Sequence, residues 1–245
     1  MSTLSKYRKN IYSQNGEDGV IREICSLLNI KIGFFVEFGA WDGKHFSNTY
    51  HLLEQGWKGV YIEGDERKFS DLLRNTQKYR NTITLIQTYV QAEGEHCLDS
   101  LLSSTNLEKD FDLLSIDIDS YDWHVWKSLQ KYNPKILLIE INSSIPVGIY
   151  QTHRNSKVQG SSFTATIELG KEKGYVPVCH TGNLIFVKKN LVEELGLPEE
   201  ELQYPELLFN YDWKHIRYES ITPVPLRILT LIYNWLRKFI GHLIS

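Results

Sequence analysis

Features that are scarce in this sequence each close off a class of protein. Cysteine occurs at Cys25, Cys97 and Cys179, an odd number at wide spacing, which suits neither a disulfide framework nor a Cys-x-x-Cys metal site and fits a reducing cytoplasm. Net charge is only −3, so the basic footprint of a nucleic-acid binder is missing and no nucleic-acid partner is expected. Nowhere do about 18 uninterrupted apolar residues run together, which argues against a spanning helix. Residues 1–10 are polar, with Lys6, Arg8 and Lys9, and lack the apolar core of a secretory leader, so a cytoplasmic location is expected. Internal repeats and low-complexity tracts are absent as well.

What is present is an ordinary globular composition, 42% hydrophobic and 23% charged over 245 residues. That length suits one α/β domain with elaborations, burying about 70% of its unfolded surface. Its organising stretch is Phe34-Phe35-Val36-Glu37-Phe38-Gly39-Ala40-Trp41-Asp42-Gly43, a β-rich apolar run that ends in an acid and breaks into a glycine-bounded turn. Such a run reads as a buried parallel strand entering a tight loop, and ligands of open α/β sheets bind at that carboxyl edge.

Charge discriminates between cofactors. A dinucleotide site wants Gly-x-Gly-x-x-Gly, whereas this loop has Gly39 and Gly43 with His45 and Phe46 where another glycine would follow. Glu37 and Asp42 repel a pyrophosphate and suit the ammonium and sulfonium groups of S-adenosylmethionine (SAM). A lone Gly-x-x-x-Gly is also what a simple turn looks like. The second strand, Gly59 to Asp65, favours the cofactor, because its Glu63 is placed to accept both ribose hydroxyls.

Glu37-Phe-Gly-Ala-Trp-Asp-Gly43, Val60-Tyr-Ile-Glu-Gly64, Ser115-Ile-Asp-Ile-Asp119 and the entry segment Ser13-Gln-Asn-Gly-Glu-Asp18 resemble the motifs of FkbM-like class I SAM-dependent methyltransferases, over about residues 13–189. The resemblance implies an α/β fold with a Rossmann-like class I methyltransferase sheet, mostly parallel with a C-terminal antiparallel hairpin and helices on both faces. It also implies a small-molecule acceptor, a glycan or nucleotide-linked precursor of the kind used in surface polysaccharide biosynthesis. Gln14, Asp18, Glu37, Gly39, Ala40, Asp42, Gly43, Glu63, Gln87 and Asp117 are the expected SAM contacts, with helix capping as the other reading of Asp18. The methyltransferase domain is expected over 1–222, its core at 13–189 and an elaboration at 190–222.

Along the chain, helices are predicted at Ser47–Gln55, Asp65–Gln77, around Leu98–Leu102, from Tyr121, and at Ser162–Lys173. Strands are predicted at Ile83–Val90, Phe111–Asp119 and Lys135–Asn142, with a hairpin of Tyr175–Cys179 and Leu184–Lys188 around Thr181-Gly182-Asn183. Alternation puts Leu113, Ser115, Asp117 and Asp119 on one side of their strand, and Glu140 and Asn142 share a face of the next. Two arrangements suit the chemistry. In one, Asp117, Asp119, Glu140 and Asn142 bind Mg²⁺ or Mn²⁺. In the other, metal is absent and His124 or Asp122 is the general base, with Asp117 near the SAM ammonium. The 143–162 loop is long for a compact domain, and acceptor recognition is expected from its Tyr150, His153, Arg154 and Lys157. A non-catalytic SAM or nucleoside scaffold is the rival reading, and an NAD-dependent oxidoreductase the third.

Residues 223–245 form a predicted amphipathic basic helix, with Leu226, Leu229, Ile232, Tyr233, Leu236, Phe239, Ile240 and Leu243 on one face. Core packing, a homo-oligomer contact and peripheral attachment at the inner face of the membrane are its three readings.

Overall fold

A computed structural model describes residues 2–153 and 159–210. The helices are α1 (Glu17–Leu27), α2 (Tyr50–Glu54), α3 (Glu66–Asn75), α4 (Leu98–Ser103), α5 (Asp122–Ser128), α6 (Phe163–Glu172) and α7 (Glu199–Gln203). The strands are β1 (Phe34–Phe38), β2 (Lys58–Glu63), β3 (Ile83–Gln87), β4 (Leu113–Ile116), β5 (Ile136–Glu140), β6 (Tyr175–His180) and β7 (Asn183–Lys188). One sheet holds them in the order β3-β2-β1-β4-β5-β7-β6, parallel except for β7, which is antiparallel to both β5 and β6. The fold is that of a class I, Rossmann-like methyltransferase sheet with its C-terminal hairpin.

The near-continuous apolar strands follow from burial on both faces. Val36, Phe38, Leu114, Ile116, Leu137 and Ile139 pack with Trp123, Trp126 and Phe163 in one core cluster. Phe35, Leu113, Ile136 and Leu138 pack with Ile21, Ile24, Leu52 and Leu72 in the other. By the same period-two alternation, Glu37 and Ser115, paired in register, point to the second face, where an apolar residue would otherwise sit.

That acid explains why α2 starts three residues after its predicted beginning. Glu37 accepts hydrogen bonds from the Ser47 hydroxyl (2.7 Å), the Thr49 hydroxyl (2.6 Å) and the Asn48 amide (2.9 Å), while the Asn48 side chain donates to Ser115 Oγ (3.1 Å). Residues 47–49 are thus held as a loop over a buried carboxyl group. β4 also stops early, at Ile116, and the chain beyond it turns, with the Asp122 carboxylate accepting from the Ile118 and Ser120 amides and Asp119 left-handed (φ +64°). β5 ends at Glu140, and the Asn142 amide donates to Ser161 O (2.8 Å), closing the base of the following loop.

The hairpin edge is covered from both ends of the described chain. Ser2 Oγ donates to Val178 O (2.9 Å), Leu4 is buried, and the Thr3 amide and hydroxyl donate to Glu201 of α7. No helix among the described residues is long and apolar enough to cross a membrane. The expected basic helix at 223–245, together with Arg154 and Lys157, lies outside the described residues.

Candidate functional site

Strand order reverses between β1 and β4, and the crevice outside their carboxyl ends is where this topology leaves room for a ligand. The chain passes close here: Gly39 has φ +73°, and a Cβ on it would fall 1.7 Å from the Asp117 carbonyl oxygen. Two cavities open at this edge. One, of about 310 Å³, is lined by Glu37, Gly39 and Ala40 after β1, Glu63 after β2, Thr88 and Tyr89 after β3, and the aromatic groups of Trp41, His45 and Phe46. The other, of about 360 Å³, is lined by Asn15, Asn142, Ser143, Ser144, Gln159, Gly160, Gly182 and Asn183. Gln14, Asp117, Asp119 and Glu140 line both.

Backbone strain gathers at the same place. Of the four non-glycine residues with left-handed backbone among the described residues, Trp41 (φ +50°), Phe46 (φ +57°) and Asp119 line these cavities. Such conformations persist only where surrounding contacts over-determine them, and they concentrate at functional sites.

In the first cavity, Glu63 is held by the amides of Trp41 and Asp65, each 2.8 Å from a carboxylate oxygen. A carboxylate offers about four lone-pair sites, so two remain for a ligand. Tyr89 is 67% exposed and lies against Gly64, where a side chain would collide with its ring. Glu37, Glu63, Asp117, Asp119 and Glu140 face a single lining cation, Lys68, whose ammonium sits 5.0 Å over the Trp41 ring. A cavity of that charge repels pyrophosphate and fits a cationic ligand such as SAM.

Where the cavities meet, one carboxylate oxygen from each of Asp117, Asp119 and Glu140 lies within 4.8 Å of the others. Burial raises the Asp117 carboxyl well above the usual carboxylate range, and the neighbouring Glu140, Asp122 and Asp119 add to it. Burial likewise pushes Glu140 up to about 8, reinforced by Asp122 and Asp119. The two acids therefore titrate as a pair that retains a proton near neutrality. Oxygen donors at this separation suit a hard divalent cation, whose charge would reverse the shift. Asn142 sits beside them, but its amide nitrogen donates to Gln159 O (2.7 Å) and its oxygen accepts from the Ser144 amide (3.0 Å) and hydroxyl.

Other expected site residues lie away from these cavities. Asp18 is fully buried, accepting from the amides of Ile11, Tyr12 and Ser13 (2.7–2.8 Å) and pairing with His51 Nδ1 (2.6 Å). Burial alone would raise its carboxyl; His51 and the amide donors outweigh that and bring it down to about 2. Asp42 accepts from the amides of Lys44 and His45, which makes it a turn residue, and a Cβ on Gly43 would meet Leu72 of α3 at 2.3 Å. Gln87 is exposed on edge strand β3, and the residues that reach the cavity from there are Thr88 and Tyr89.

Asp122 lines the second cavity, yet its oxygens accept from the amides of Ile118 (2.8 Å) and Ser120 (2.9 Å), fixing the turn after β4; burial raises it to about 6. His124 Nε2 is 2.7 Å from the His153 carbonyl, to which it donates, and the ring lines neither cavity. His153 packs its ring on Tyr121 (4.7 Å) and accepts from the Gly160 amide (3.2 Å), and Tyr150 is exposed. Sequence reading missed Ser143, Gln159, Gly160 and Asn183, which the fold of the 143–162 loop and the hairpin turn bring into the wall. Only the unusual loop length pointed there.

No family model matches the chain, and no curated protein does. Among solved structures it is similar to a putative caffeoyl-CoA O-methyltransferase from Staphylococcus aureus, at 14% identity and a TM-score of 0.50, covering 77% of this chain and 93% of that one. It is also similar to a putative RNA methyltransferase from Pyrococcus horikoshii, at 10% identity and a TM-score of 0.44, covering 76% and 94%. At 14% identity the likeness to the first of these speaks for the fold alone.

Proposed function

We propose that this chain is a SAM-dependent methyltransferase of the FkbM-like kind that modifies a hydroxyl oxygen of a small glycan or nucleotide-linked precursor. The observation that carries this reading is the meeting of two cavities, one acidic and edged by Glu63 and Tyr89, at a cluster of three carboxylates on the carboxyl edge of β4 and β5. Cofactor binding alone requires only the β1–β2 side. The second cavity and the shared acids favour an enzyme over a scaffold, and the negative lining disfavours a dinucleotide.

SAM, when bound, supplies an electrophilic methyl group. Glu63 would hold its ribose hydroxyls, Gly39 and Ala40 would let it approach the backbone, and Tyr89 would flank its base. Gln14 and Asp117 line both cavities and would stand between cofactor and acceptor. In the metal-free arrangement the acceptor hydroxyl would lose its proton to a carboxylate oxygen of the Asp117–Glu140 pair, a role supported by their lining both cavities where His124 lines neither. In the alternative arrangement Asp117, Asp119 and Glu140 would hold Mg²⁺ or Mn²⁺, which would lower the pKa of a coordinated hydroxyl.

Incubation with labelled SAM and a panel of sugar nucleotides, with and without EDTA, tests acceptor and metal together, and calorimetry with SAM against NAD tests the cofactor. Preference for NAD would overturn the reading. We further propose that 223–245 is a membrane-surface or subunit contact. A chain ending at Pro223 should keep SAM binding and lose its affinity for anionic vesicles or change oligomeric state; collapsed thermal stability would overturn both contacts.

A further inference from the structure

His180 is 1% exposed at the end of β6, stacked on Phe209 (4.7 Å between centroids) with Phe163 at its edge (5.8 Å). Its Nδ1 lies 2.9 Å from the Asn210 amide nitrogen, and a backbone N–H can only donate, so Nδ1 carries the lone pair and the ring hydrogen is on Nε2. Burial lowers the pKa of this imidazole to about 3, which keeps it in that neutral form. Nε2 is 2.9 Å from Ser143 Oγ, so Nε2–H donates and the serine oxygen accepts. With that lone pair occupied, the Ser143 O–H has no protein acceptor among the described residues and is free to turn into the second cavity, which Ser143 lines.

A second group points the same way. Asn183 pairs with Glu140 in the β5–β7 register, which places both side chains on one face at the carboxyl edge. It is only 6% exposed, and its backbone groups are satisfied by Thr181. Its carboxamide has no partner among the described residues and lines the cavity. A largely buried residue whose amide has no protein partner among the described residues and which lines the cavity is available to bond the cavity's occupant. The charged side chains that line this cavity among the described residues are acidic, which favours an uncharged group beside Asp117, Asp119 and Glu140.

We infer that Ser143 and Asn183 form a subsite that reads an uncharged hydroxyl-bearing part of the acceptor, with His180 as the positioning residue that fixes the Ser143 hydroxyl as a donor. The inference rests on the methyltransferase reading for its place beside the reacting centre, but its chemistry is independently measurable.

The test uses the full chain, with and without saturating S-adenosylhomocysteine, and two probes, methyl β-D-glucopyranoside and inorganic phosphate. Side-chain ¹⁵N spectra should show His180 protonated on Nε2, and the Asn183 amide signal should shift saturably with the glucoside and not with phosphate. Ser143→Ala and His180→Phe should each weaken the glucoside about tenfold, the usual consequence of one lost hydrogen bond. His180→Gln, which retains an amide donor toward Ser143, should recover most of that affinity, an outcome that a purely structural role for His180 would not give. Affinity for S-adenosylhomocysteine should stay unchanged in all three variants and serves as the folding control. No saturable glucoside shift, equal affinity in Ser143→Ala, preference for phosphate, or a proton on His180 Nδ1 would each overturn the subsite. Failure of the wild type to bind S-adenosylhomocysteine would overturn the methyltransferase reading, and the cofactor-free titration keeps that result separate from this one.

Discussion

Two groups of carboxylates lie near the same end of the sheet, and they are built differently. Asp18 and Glu37, on the α1–α2 side, each receive several donors: three amides and His51 for one, two hydroxyls and an amide for the other. Asp117, Asp119 and Glu140, at the ends of β4 and β5, face mainly one another. A buried carboxylate that several backbone and side-chain groups converge on is scaffold, because those contacts hold the chain in place. A cluster of acids that face one another at a cavity can take up a proton, a cation or a substrate group.

The largest effect that would sharpen this contrast is on turnover. Glu140→Gln removes a proton-accepting group from the cluster at the cavities and should reduce kcat by about 10²–10⁴, the usual contribution of an acid-base group. Affinity for S-adenosylhomocysteine, read by calorimetry, should change little. Full activity in this variant, or after exhaustive chelation with no metal found by elemental analysis, would remove the acids or the metal from the mechanism respectively.

Asp18→Ala breaks the satisfied group instead. It strips three amides and buried His51 of their acceptor and should cost about 3–5 kcal/mol of stability, the range for removing one partner of a buried pair. Denaturant unfolding would show it; a stable variant that loses only SAM affinity would return Asp18 to the cofactor site. Glu63→Gln, next in size, should weaken SAM about ten- to a hundredfold, by removing charged hydrogen bonds worth about 1.5–3 kcal/mol. Unchanged affinity in the folded variant would take Glu63 out of the cavity's function.

The smallest effect is a pH slope. Because Glu140 is raised from its ordinary carboxylate value to about 8, the metal-free folded state binds more protons than the unfolded chain between about pH 4.5 and 8. Stability from this group is therefore full at the acid end and is lost as pH rises through that window, by up to about 1.4 kcal/mol per pH unit for one proton. Thermal unfolding of chelated protein should show the decline, and Glu140→Gln should flatten it. Asp18, lowered to about 2, acts in the opposite sense at lower pH: its stabilisation is present above about pH 4 and is lost as pH falls toward 2.

Sequence by itself determined the sheet and its carboxyl edge. Strands buried on both faces must be apolar throughout, so β1, β4 and β5 were legible as runs, and the acids that end them marked the edge where ligands bind. Glu63, Gly39 and the Asp117–Asp119–Glu140 set were visible for that reason. Only the tertiary structure decided which acids are saturated, because donors come from distant segments: His51 reaches Asp18 across 33 positions, and residues 47–49 give up helix to serve Glu37. It alone placed Ser143, His180 and Asn183 together, since a loop, a strand end and a hairpin turn carry no shared period that would announce their meeting. Hydrophobic periodicity records which face of an element is buried; it does not record which polar group on another element will fill a given hydrogen bond.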